Sequence, residues 1–177
     1  MTRLRLFLCL VATVAVLGSW PGTVCAQQAF EVVTGKAFDA AVPRDFYLEG
    51  NAIPTQKRNA SLVKSPAGAR ALFALIDTTG YSSNIVAKYV GMMIIEGDLT
   101  LCGQKVTVGS YGFGWARPAT GVDAPGKFSL YDQAGRGVAE CATPRDADLK
   151  QPRPLQVIVA PNGTARLYDG RHYLELR

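Results

Sequence analysis

Apolar residues fall along this chain in short runs broken by clusters of Gly, Pro, Asn and Asp, and few of the runs repeat at helical spacing. Such a pattern belongs to strands and tight turns. The first run differs. Leu6 to Leu17 is almost wholly apolar, follows Arg3 and Arg5, and ends at Gly18, Pro21 and Gly22. Val24-Cys25-Ala26 then sets small residues at the −3 and −1 positions before Gln27. The order basic, apolar, small is that of a secretory signal peptide, and about a dozen apolar residues is too short to span a bilayer. Residues 1–26 are therefore read as a signal. A lipoprotein would be cut before Cys25, but Gly22-Thr23-Val24 lacks the leucine expected three positions upstream.

Residues 27–44 show little periodicity and are expected to form a leading arm, with one short strand near Phe30 to Val33. Residues 45–177 are expected to form a single β domain. Its strands are predicted at Phe46 to Glu49, Ser61 to Lys64, Ala71 to Asp77, Met92 to Glu96, Leu99 to Cys102, Lys105 to Val108, Ser110 to Ala116, Phe128 to Tyr131 and Val138 to Cys141. A closing meander follows at Leu155 to Val159, Thr164 to Tyr168 and His172 to Leu176. Ala71 to Asp77 (ALFALID) is continuously apolar, as for a strand covered on both faces. Ser82 to Val90 reads as one short helix, with serine to cap it, Gly91 to end it, and Ile85, Val86, Tyr89 and Val90 on one side. Gly103-Gln104 suggests a two-residue type II′ loop; Pro161-Asn162-Gly163 and Asp169-Gly170 are further turn signals. About ten short strands at regular spacing predict an all-β fold, an antiparallel β-sandwich or barrel.

Composition narrows the function. The 177 residues are 48% hydrophobic and 19% charged, which argues against disorder. A single histidine excludes sites that need two. The +5 charge drops by the two arginines of the signal, and the remaining cations are scattered, with Lys57-Arg58 the only adjacent pair. Nucleic acid needs a basic patch, so no nucleic-acid partner is expected. No later segment has the apolar length of a membrane span. Two of the four cysteines leave with the signal. Cys102 and Cys141 remain, and in an exported chain they are expected to form a disulfide closing a loop worth roughly 4 kcal/mol.

Gly109-Ser-Tyr-Gly-Phe-Gly-Trp115 is the most unusual stretch. Period-2 alternation sets Tyr111, Phe113 and Trp115 on one face and Ser110, Gly112, Gly114 and Ala116 on the other. An exposed aromatic stripe would be a ligand platform, with Trp115 and Tyr111 the candidate binding residues. Facing inward it is core, with the small face admitting a close neighbour. The core reading is preferred, with Tyr111 and Phe113 buried and Trp115 the most exposed, since it borders a loop. The acid pairs Glu96/Asp98, Asp146/Asp148 and Asp45/Glu49 carry no specific signal for glycosidase chemistry. Asp146-Ala147-Asp148 lacks the spaced oxygens of a calcium loop. His172 shares a face with Leu174 and Leu176 and reads as structural; no Gly-x-Ser-x-Gly elbow accompanies it. Asn59-Ala-Ser61 and Asn162-Gly-Thr164 are glycosylation sequons, relevant only in a glycosylating host. No catalytic residue, metal or cofactor is assigned.

The run Glu96-Gly-Asp-Leu-Thr-Leu-Cys-Gly-Gln-Lys-Val-Thr-Val-Gly-Ser-Tyr-Gly-Phe resembles a hairpin of small exported bacterial β-sandwich proteins of uncharacterised families. The resemblance covers about a tenth of the chain. It implies an all-β fold and a periplasmic or extracellular setting, and carries no activity. The leading expectation is a non-enzymatic exported domain that binds a small ligand, a glycan or an envelope protein. The alternatives are a hydrolase with a dispersed acidic site and a lipocalin-like carrier of an apolar ligand. A first prediction concerns processing. N-terminal sequencing of protein from the producing cell should begin at Gln27; an intact Met1 on cytoplasmic protein would sink the signal-peptide reading.

Overall fold

The computed structural model describes residues 29–119 and 124–177. The expected signal peptide, its expected cleavage site before Gln27 and part of the loop between Arg117 and Gly126 lie outside these residues. The described chain is all-β and antiparallel, with strands β1 (Glu31–Val33), β2 (Asp45–Leu48), β3 (Asn51–Lys64), β4 (Arg70–Ile76) and β5 (Gly91–Ile95) in its first half. The second half holds β6 (Leu99–Leu101), β7 (Gln104–Val106), β8 (Gly109–Ala116), β9 (Gly126–Tyr131), β10 (Gly137–Thr143), β11 (Arg153–Val159), β12 (Ala165–Gly170) and β13 (His172–Leu176). Two short helices, α1 (Lys36–Ala41) and α2 (Ser83–Lys88), complete it. The largest sheet has the order β1-β3-β4-β5-β8-β9-β10, with β2 also on β3. β11-β12-β13 form a second sheet and β6-β7 a hairpin.

Both faces of the large sheet are covered. On one side Phe73, Met93, Phe113, Phe128 and Leu130 pack against Leu155, Val157, Leu167 and Leu174 of the second sheet, with Leu101 and Val106 of the β6-β7 hairpin. On the other, Leu72, Ala74 and Met92 pack against Phe46, Leu48 and Ile53, and against Ile85 and Tyr89 at α2. The neighbours Met92 and Met93 are both fully buried, one in each core. This explains the unbroken apolar run of β4: alternate side chains enter different cores, so neither phase of the strand has a wet face.

Several expectations need correction. Residues 29–44 are packed on the domain: the expected short strand near Phe30 to Val33 is present as β1, paired with β3 from Glu31↔Lys64 to Val33↔Leu62, and Phe30 belongs to the first core. They also contain a second helix, α1, whose entry residue Gly35 offers no side-chain cap; without a capping signal it was not recognisable. The expected helix is present as α2, with Ser82 Oγ accepting from the Ile85 N–H. β3 is longer than the expected Ser61 to Lys64 strand: it runs back through Asn51 to Ala60, a polar stretch that includes a register shift between Gln56 and Ala60. The β6-β7 loop is Cys102-Gly103, with φ of 53° and 71°, so it is type I′ and lies one residue earlier than expected. In β12-β13, Asp169 pairs with His172, leaving Gly170-Arg171 as the loop.

Three longer loops share one construction. Ser65–Ala69, Asp132–Arg136 and Ala160–Thr164 each close with a backbone bond between their ends. In each, a glycine at φ 82–89° (Gly135, Gly163, Gly68) stands just before the closing residue. This is the three-residue hairpin loop with a left-handed last residue, where a side chain would be strained.

β13 is held on more than one side. It pairs with β12, its Arg177 exchanges backbone bonds with Thr100 at β6, and the Tyr173 N–H donates to the Pro144 carbonyl beyond β10. Cys102 and Cys141 form the expected disulfide, with Cα atoms 5.3 Å apart. It fastens the β6-β7 turn to β10. The small face of β8 also behaves as expected. A Cβ on Gly114 would lie 2.4 Å from the Lys88 carbonyl oxygen, and one on Gly112 2.6 Å from the Tyr89 ring. The two glycines therefore let the C-terminal end of α2 rest on the sheet. Phe113, fully buried with its ring 5.7 Å from that of Phe128, anchors the other face of the same strand. Phe113→Ala should cost about 3–5 kcal/mol in denaturant unfolding; a change below about 1 kcal/mol would contradict this packing.

Candidate functional site

The aromatic strand is core, but not in the expected order of exposure. Trp115 is buried at 7% exposure, while Tyr111 is half-buried and the most exposed of the three. The expectation for Trp115 failed because β9 pairs with β8 past it, through Trp115↔Phe128 and Ala116↔Lys127. Its ring stands edge-on to Phe128 at 5.3 Å, and its Nε1–H donates to Thr143 Oγ1 at 3.1 Å. That bond satisfies the polar end of the indole inside the protein. Tyr111 lies at the other end of the strand, where its hydroxyl donates to the Thr107 carbonyl at 3.0 Å. The two candidate residues are thus at opposite ends of β8 and form no joint platform.

Among the described residues, Thr143, Asp169 and His172 are the buried polar ones. The Arg117 guanidinium grips Asp169 with a fork, Nε to Oδ2 at 2.6 Å and Nη2 to Oδ1. Asp169 in turn pushes the Arg117 pKa further up, mainly through this hydrogen bond. The pairing carries the first residues after β8 onto the end of β12. His172, cross-strand from Asp169, is bridged by Arg145, and its Nε2 has no hydrogen-bond partner. A catalytic histidine needs a nucleophile at one nitrogen and an orienting acid at the other. Here the neighbouring acid is committed to arginine, and the described contacts of the cluster join the end of β8 to β12 and β13.

A second polar knot joins three distant turns. Glu49, in the left-handed region at φ 48°, begins the β2-β3 loop. Its Oε1 accepts from Lys88 Nζ and from the Tyr89 hydroxyl, both at 2.7 Å. Lys88 Nζ also donates to the Gly135 carbonyl in the β9-β10 loop and lies 4.8 Å from the Tyr131 ring centre. The hydrogen bond from Lys88, then that from Tyr89, holds the Glu49 carboxyl below its ordinary value of 4.5. Burial, then the bond to Glu49, pushes the Tyr89 hydroxyl well up. No sequence signal linked these residues, which are brought together only by the sheet order.

Three of the other candidate acids are also occupied. Glu96 holds Arg70 through both oxygens at 2.7 and 2.6 Å, and Asp98 holds Lys105 at 2.6 Å. Asp146 accepts from the Tyr168 hydroxyl at 2.9 Å and from the backbone of Asp148 and Leu149. Among the described residues no three of His, Cys, Asp and Glu come together as a metal would require.

What remains open lies on the surface. A cleft of about 820 Å³ is formed where the Ser65-Pro66-Ala67 and Asn162-Gly163-Thr164 loops approach the ends of β12 and β13. Phe30 and Leu176 give it an apolar base; Asp98, Arg166, Glu175 and Arg177 line its sides. Glu175 is shared by Arg177 at 2.7 Å and Arg166 at 3.6 Å, and Arg166 stacks on Tyr173 at 4.3 Å. The cleft is therefore charge-balanced. Both loops were legible as turns, but their meeting at one end follows from topology. A smaller groove of about 440 Å³ runs beside β11 and the irregular part of β3. Comparison with known protein families, curated proteins and solved structures finds no match for this chain, so the hairpin resemblance around residues 96–113 is not joined by a family assignment.

The Glu49 knot makes a pH prediction. Its folded pKa lies below the unfolded one, so its contribution is present above about 4.5 and fades as pH falls through the depressed value. Urea unfolding between pH 7 and pH 3 should show stability declining in the acid limb. In Glu49→Gln that part of the decline should be absent, with lower stability at pH 7. An unchanged acid limb would show that the carboxylate is not coupled to folding.

Proposed function

We propose that the mature chain is an exported, non-enzymatic binding domain, and that its ligand, a small uncharged polar molecule such as a glycan fragment, occupies the cleft between the two loops. The cleft's charge balance carries this reading. Asp98 and Glu175 are each neutralised by adjacent cations, so the cleft offers hydrogen-bonding groups and an apolar base without a free acid pair. A hydrolase would need two carboxylates at a defined separation facing the same substrate bond. A lipocalin-like carrier would need an underfilled interior, whereas Phe73, Met93, Phe113 and Phe128 fill the space between the sheets. Export is supported by residues 1–26 and is weakly consistent with the disulfide; the proposed location is the periplasm or the outside of the cell.

The experiment is a titration followed by NMR with soluble neutral oligosaccharides, chitotriose among them. Saturable shifts should centre on Ala67, Asn162 and Thr164, and Ala67→Trp, an exposed position, should remove them while leaving the unfolding transition in place. Turnover of the sugar that disappears in Asp98→Asn or Glu175→Gln would replace this reading with the hydrolase one.

A further inference from the structure

The smaller groove has a composition the cleft lacks. Its apolar lining comes from Val33, Phe38, Leu62, Leu155 and Val157, side chains drawn from both cores where they meet the surface. Its polar rim is basic: Lys57, Arg58 and Arg153 line it, and no acid does. Asp39 on α1 pairs with Lys57 at 2.8 Å. Arg58 and Arg153 are exposed and have no ion-pair partner among the described residues. Their two charges remain available at the mouth of an apolar trough.

The irregularity of β3 puts Arg58 there, and Arg153, the first residue of β11, lines the same groove. Between Gln56 and Ala60 the pairing with β4 shifts register, and Lys57-Arg58-Asn59 leaves the ladder. The detour is fixed rather than loose: Asn59 Nδ2 donates to Gln56 Oε1 at 2.8 Å, and Gln56 Nε2 donates to the Ile76 carbonyl at 3.3 Å. Breaks of this kind re-aim side chains that regular alternation would place otherwise. They recur beside functional sites. Here the break sets Arg58 at an apolar channel that Arg153 of β11 also lines, and the nearest match to these two cations in chemistry is a molecule with a negative head and a hydrocarbon tail.

We propose that this groove binds a single-chain anionic amphiphile, with its tail along Phe38, Leu62 and Leu155 and its carboxylate or phosphate head at Arg58 and Arg153. The site is separate from the cleft and does not depend on what the cleft binds. Burial of the tail supplies most of the affinity, and the cations set the preference for a negative head.

Dodecyl phosphate, kept below its micelle concentration, should bind the full mature chain saturably with one site in calorimetry, with NMR shifts at Val33, Arg58 and Leu155. Dodecyltrimethylammonium and inorganic phosphate should each bind at least about tenfold more weakly, the first for want of charge complementarity and the second for want of a tail. The double variant Arg58→Glu/Arg153→Glu should lose roughly tenfold or more in affinity with an unchanged circular dichroism spectrum, since both residues are exposed. Ala67→Trp should have no effect, which separates this site from the cleft. Equal binding of the cationic amphiphile, equal binding of phosphate alone, full affinity in the double variant, or no binding of dodecyl phosphate would each overturn the proposal.

Discussion

The structure depends on the need to cover both faces of β4 and β5. Once Phe73 and Met93 point one way and Leu72 and Met92 the other, the sheet needs two lids. The β11-β13 sheet, with the β6-β7 hairpin, supplies one. The β2-β3 turn region and the two helices supply the other. Almost every special feature then serves to seat a lid. Gly112 and Gly114 remove side chains where α2 lands, and the disulfide pins the hairpin to β10. Arg117 joins the end of β8 to Asp169, and Glu49 joins three turns around Lys88. Each ties down the end of an element that would otherwise be free to lift.

The local features of the sequence survived well. The two-sided burial of β4, the capped helix after Ser82, the disulfide, the inward aromatic stripe and the closing meander were all legible, because each depends on alternation or turn chemistry within a few residues. The failures share a cause. Trp115 was misjudged because its exposure is decided by β9 and Thr143, which pair with it across the sheet. The polar N-terminal half of β3 hides as a loop, because its apolar positions are sparse and its register breaks at Lys57 to Asn59. Helix α1 lacks a cap. Turn signals placed the hairpins to within one residue, but the β6-β7 loop is type I′ rather than II′ because Leu101 pairs with Gln104, which leaves Cys102-Gly103 as the loop.

Open surface was illegible for a stronger reason. The cleft joins loops nearly a hundred positions apart, and the groove joins β1, β3 and β11, which lie in three regions of the chain. Composition registered only Lys57-Arg58, as a basic pair too small for nucleic acid. In the fold that pair stands beside apolar residues and Arg153, a neighbourhood no window of sequence contains.

The long reach of these pairings also governs how the molecule is made. β1 must find β3 across the α1 and β2 segment, β6 must wait for Arg177, and β11 settles against β3 from a hundred positions away. Loop-closure entropy is lost before such contacts are gained, so a topology of this kind folds slowly. If the chain is exported as proposed, crossing a membrane as an extended thread, slowness is an advantage. The sheets would not set prematurely, and the disulfide would form only when Cys102 and Cys141 had been brought together by strands already in register.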